Sequence, residues 1–71
     1  MRVDTHESWV GTAVDEIEDR SRAKVAFLTR DGASELVRAD HVLQDGDYLY
    51  LLVEVERTGK VERLLTKAKE S

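Results

Sequence analysis

The stretch LQDGDYLYLLVEVE, residues 43–56, changes character twice. It opens on Asp45-Gly46-Asp47, a turn signal, because glycine tolerates the positive φ that tight turns need. It continues through Tyr48-Leu49-Tyr50-Leu51-Leu52 with no polar interruption and ends in alternation, Val53-Glu54-Val55-Glu56. Side chains on a strand alternate between faces, so the segment predicts a strand over residues 48–57. Leu49, Leu51, Val53 and Val55 then form an inward face. Tyr48, Tyr50 and Leu52 point outward, ahead of Glu54 and Glu56. The outward trio poses the functional question: either the protein covers these side chains itself, with Trp9 or the C-terminal segment, or a partner does.

Working outward, residues 9–18 (WVGTAVDEIE) read as a strand, with Val10, Thr12 and Val14 on one face and the small residues Gly11 and Ala13 on the other. Residues 23–30 read as another, with Ala23, Val25, Phe27 and Thr29 sharing a face and Val25 and Phe27 in the core. Asp31-Gly32 is a hairpin signal of the type I′ kind. A third strand follows near residues 34–39, with Leu36 or Val37 inward, and residues 40–47 form a loop that drops Val42 and Leu43 onto the core. After Thr58-Gly59, read as a turn, the last segment fits two periods. As a strand it aligns Val61, Arg63 and Leu65; as a helix it aligns Val61, Leu64, Leu65 and Ala68. The reading adopted is a fifth strand over 60–65 with a short C-terminal helix after it. The sum is a mostly β domain: a small five-stranded antiparallel barrel, SH3-like or OB-like. Residues 1–8 are expected as a flexible tail or short edge strand, 9–66 as the barrel, and 67–71 as a C-terminal tail.

Seventy-one residues hold one domain with a thin stability margin. There is no cysteine, which excludes disulfides and thiolate metal sites and fits a cytoplasmic setting. The formal net charge of −4 argues against a nucleic-acid or membrane-surface binder, and no apolar run is long enough to span a bilayer.

Several of these pieces resemble the family of small bacterial and archaeal proteins known as domain of unknown function three-thousand-six. The matching residues are Asp15, Ile17 and Glu18, then Ala23 with Val25 to Leu28, then Asp31-Gly32, Val42-Leu43, Gly46-Asp47 and Tyr48 to Val53, covering about residues 12–62. Glu16 stands where that family has arginine, and Gln44 where it has proline. The resemblance implies a small barrel without known enzymatic activity, at times attached to metallo-β-lactamase-like hydrolase domains. It carries over no catalytic residue.

Asp4, His6, Glu7 and Ser8 are the residue types of a hydrolytic triad, but such a triad needs side chains converging from separate elements, not four crowded into five residues of a tail. His6 and His41 are the only histidines, too few for a metal centre, so no catalytic residue, metal or cofactor is assigned. Arg20, Arg22, Lys24 and Arg30 share parity along the second strand and its approach, with Arg38 beside them. They form a candidate anion or nucleic-acid stripe, set against ordinary pairing with the surrounding glutamates. The expected function is a non-enzymatic interaction module that binds a protein partner or a second copy through Tyr48, Tyr50, Leu52 and Trp9. The alternatives are a nucleic-acid-binding barrel and an accessory domain to a hydrolase.

Overall fold

A computed structural model describes residues 1–70. It contains an antiparallel sheet of four strands, β1 (Arg2–Val3), β2 (Lys24–Arg30), β3 (Ala33–Glu35) and β4 (Tyr48–Leu52), in the spatial order β1-β4-β2-β3. Two helices, α1 (Val14–Ser21) and α2 (Thr58–Thr66), contribute to the same core as one face of that sheet. The expectation of a small antiparallel β domain with a short C-terminal helix holds. The closed five-stranded SH3-like or OB-like barrel does not: the sheet is open and has four strands.

Two helices account for the difference. Residues 14–21 are helical because Val14, Ile17 and Ser21 recur at i, i+3 and i+7 and all three are buried. Asp15 and Glu16 lie in the first turn, where carboxylates suit the helix dipole. The expected first strand over 9–18 is therefore a 3-10 turn (Glu7–Trp9) followed by this helix. At Ala13 no side chain caps the helix. Its first N–H groups are taken instead by carbonyls of a distant loop, Val14 N–H to His41 O (2.8 Å) and Asp15 N–H to Ala39 O (2.9 Å). The helix stops at Arg22, whose left-handed φ of 56° lets its N–H reach Glu18 O.

At the other end, the expected fifth strand over 60–65 is helix α2. Its helical stripe wins, with Val61 and Leu65 fully buried and Leu64 packed beside them. The strand expected over 48–57 ends at Leu52, and a second 3-10 turn (Val55–Arg57) leads straight into α2. Val55 is consequently exposed, not inward. Thr58-Gly59, read as a hairpin turn, opens the helix. The first residues form β1, where Val3 is buried and the terminal ammonium donates to Leu51 O (2.8 Å).

The Asp31-Gly32 hairpin is as expected: both residues have positive φ, 53° and 79°, and the strands either side pair Arg30 with Ala33. A Cβ at Gly32 would meet no atom within 4 Å, so the cost of Gly32→Ala is purely conformational. It is expected to be about 1 kcal/mol, read as a lower urea midpoint with unchanged slope.

Candidate functional site

The core face of the sheet carries Val3, Val25, Leu28, Leu49 and Leu51, all at most 2% exposed. Its opposite face is the candidate interaction surface. In β4 the expected alternation holds: Leu49 and Leu51 are buried, Tyr48 and Tyr50 half-buried, and Leu52 is 66% exposed. In β2 a register shift between Val25 and Phe27 marks a bulge at Ala26. One extra residue reverses the parity that follows, so Leu28 takes the core position and Phe27 the outer face. Phe27, expected in the core with Val25, instead stacks on Tyr50, its cross-strand partner, with ring centroids 4.5 Å apart and planes 12° from parallel. The Arg2 guanidinium lies over the Tyr48 ring at 4.2 Å.

The tyrosines are thus covered in part by Phe27 and Arg2. Trp9, grouped with this face from sequence, is fully buried elsewhere, and its indole N–H donates to Lys67 O (3.0 Å). Next to Phe27, a groove of about 220 Å³ is lined by Ser34, Glu35 and Leu36, and Leu36 is 87% exposed. Val37 is the residue of that pair that packs on the core.

The five cations do not form a stripe along one strand, because α1 intervenes. Arg20 lies on the helix beside Glu16 (3.0 Å), Arg22 ends it, and Lys24 begins β2 beside Glu18 (3.4 Å). Arg38 is exposed in the segment after β3. Arg30 sits in a network that sequence reading missed. It donates twice to Asp47, Nε–H to Oδ1 (2.8 Å) and Nη2–H to Oδ2 (2.7 Å), and lies 3.6 Å from Glu35. Its Nη2 also approaches His41 Nε2 (3.2 Å), which accepts if the proton is on Nδ1. The Asp47 side chain is fully buried and also accepts from Gln44 N–H (2.9 Å). Arg30 holds the Asp47 carboxyl below the usual range against the opposing effect of burial, and the Arg30 pKa is raised in return. The spacing of Arg30 and Asp47 in sequence gives no sign of this pair.

The N-terminal group comes together only as a local cap: Ser8 Oγ lies 2.8 Å from His6 Nδ1, which also accepts from Ser8 N–H (3.1 Å). Among the described residues, no helix is long and apolar enough to cross a membrane.

Comparison with known proteins places this architecture. The family model for the TrkA-C domain matches residues 1–66. The chain is similar to the Trk system potassium uptake protein TrkA of Streptomyces coelicolor, 34% identical over 68 residues. The match takes in 96% of this chain and 30% of that relative, so the chain spans under a third of the relative's length. The resemblance to domain of unknown function three-thousand-six is thereby overturned: its matching residues were turn and core signals that unrelated small β folds share. The hydrolase-accessory reading, which rested on it alone, falls with it. A family match over nearly the whole chain, on an open sheet backed by two helices, shows that this protein belongs to the TrkA-C domain family.

Proposed function

We propose that the chain is a non-enzymatic, cytoplasmic regulatory domain of a potassium-uptake system, and that it works by binding a protein partner or a second copy of itself. The potassium reading rests on the name of the relative from Streptomyces coelicolor. The interaction reading rests on one observation: the outer sheet face. Tyr48, Tyr50, Leu52 and Phe27 sit on a sheet whose helices lie behind it, and the exposed Leu36 borders the adjoining groove. Aromatic side chains with polar tips on a rigid sheet suit protein contacts, because they bring large area at low entropic cost.

The test is the double variant Tyr50→Lys/Leu52→Lys, which keeps the buried face of β4 intact. Sedimentation from micromolar to millimolar concentration, and growth of the source cells at limiting potassium, are the readouts. The variant is expected to lose self-association or to impair growth while melting close to the parent. Parent-like behaviour in both assays would remove this face from the function.

A further inference from the structure

Arg30 has a partner beyond its two carboxylates. Its Nη2 lies 3.2 Å from Nε2 of His41, a half-buried residue of the loop between β3 and β4. A guanidinium has donors and no acceptor, so the imidazole accepts and Nε2 carries no proton. The ring's single proton is then on Nδ1. A second proton, placed on Nε2, would abolish the bond and set two cations against each other. The main chain of the same loop has its own task. His41 O accepts from Val14 N–H (2.8 Å) and Ala39 O from Asp15 N–H (2.9 Å), and these carbonyls stand in for the side-chain cap that α1 lacks. Further on, the buried Leu43 anchors the loop, donating its N–H to Thr12 O (2.9 Å) and accepting from Gly11 N–H (2.8 Å). Before His41, residues 38–40 are exposed, and the bond from ring to guanidinium ties this part of the loop to β2.

The charges around the ring decide what a proton does there. Arg30, on β2, repels it at contact distance. Asp47 attracts it, but both carboxylate oxygens are engaged, Oδ1 by Arg30 Nε–H and Oδ2 by Arg30 Nη2–H and Gln44 N–H. Glu35 on β3 and Asp31 in the hairpin turn act on Arg30 from exposed positions. Asp15 on α1, with Arg38 and Asp40 beside the histidine, is exposed as well, so solvent weakens the pull of all five. Arg30 therefore keeps Asp47, its bidentate charge-assisted partner, and gives up the ring. Asp47 is held below the usual carboxylate range and stays ionised wherever a histidine titrates.

We infer that His41 is a proton-operated latch: its neutral ring ties the loop that caps α1 to Arg30, and protonation releases that loop while the Arg30–Asp47 pair stays. The closed loop needs the neutral ring, so acid favours the open one. The device loosens the start of α1 and leaves the sheet intact. It stands or falls independently of the outer sheet face.

Two NMR measurements on the full chain test this. The first is the tautomer of His41 in mildly alkaline solution, read from nitrogen–proton correlations of the ring; the chain has two histidines, and His6→Gln identifies the signals of the other. A proton on Nδ1 and a bare Nε2 are expected, and a proton on Nε2 would overturn the inference with no variant of His41 needed. The second is amide exchange of Val14 and Asp15, each rate divided by its intrinsic value, between about pH 8 and about pH 5. Protection of both is expected to fall roughly fivefold on acidification, the weight of one ordinary hydrogen bond, while Leu43, anchored in the core, holds its protection. His41→Gln, which cannot gain a proton, should show a flat profile, and His6→Gln the parent's profile. Protection at Val14 and Asp15 that holds or rises in acid would overturn the inference, because the charged ring would then have turned to Asp47 and kept the loop closed. A fall of the same size in His41→Gln would overturn it too, by assigning the proton to another group.

Discussion

Leu49→Ala is expected to lower stability by about 3 kcal/mol, within the range for deleting a fully buried leucine side chain. Leu49 is 0% exposed, on a strand flanked by β1 and β2, opposite Val3 on one side and Leu28 on the other. With neighbours fixed on both sides, the backbone has little freedom to collapse into the cavity. A core this small rarely supplies more than roughly 5 kcal/mol, so most of the stability would go. The melting temperature should drop by about 15 °C, since each kcal/mol moves a domain of this size by several degrees. Leu52→Ala, three residues along the same strand, should change stability by at most about 0.5 kcal/mol, because Leu52 is largely exposed. Urea unfolding of the two variants side by side checks both. Equal losses would mean that β4 does not present the two faces assigned to it.

That alternation was readable in the sequence because strand period is local: Tyr48 to Leu52 carries its own pattern. The Asp31-Gly32 turn was readable for the same reason. Phe27 was not, because a bulge leaves no mark on composition, and a single unpaired residue at Ala26 exchanges the two faces beyond it. Helix α1 was hidden in a different way. Its start lacks a side-chain cap at Ala13, and the groups that replace one are main-chain carbonyls of Ala39 and His41, invisible to any reading of neighbours. Eight residues with three buried positions also offer few periods to count. In α2 the helical stripe was visible, and the glycine at 59 outweighed it as a turn signal. The second 3-10 turn shows why that weighting failed: the chain is already coiling at Val55 when it reaches Gly59.

The candidate site divides along the same line. Tyr48, Tyr50 and Leu52 lie on one face because they belong to one strand, whereas Trp9 was grouped with them on residue type alone. Its burial against the C-terminal segment depends on contacts across 58 positions of sequence. The cation stripe failed for a related reason. Parity along a strand was extended through Arg20 and Arg22, and those residues belong to the end of a helix, where the period is different.

The second large effect is expected at Asp47. Asp47→Asn leaves Arg30 facing a neutral amide and replaces one acceptor oxygen with a donor group. The lost pair is bidentate and its carboxylate fully buried, although the Arg30 side chain is 24% exposed. Breaking a buried pair from one side is strongly destabilising, and solvent at Arg30 moderates the loss to about 2 kcal/mol at neutral pH. The acid dependence follows from the direction of the shift. Arg30 lowers the Asp47 pKa in the folded state, so the unfolded chain takes up this proton first as pH falls. The stabilisation is complete above the unfolded value of about 3.9 and is lost as pH drops from there through the folded value. The raised pKa of Arg30 adds nothing in this window, since the guanidinium stays charged throughout. The urea midpoints of the parent and Asp47→Asn should therefore differ most at pH 7 and converge toward pH 2. A gap that persists undiminished in acid would mean that the loss comes from packing of the 44–47 turn and not from the carboxylate. Convergence would show that charge holds the turn from which β4, and with it the tyrosine face, begins.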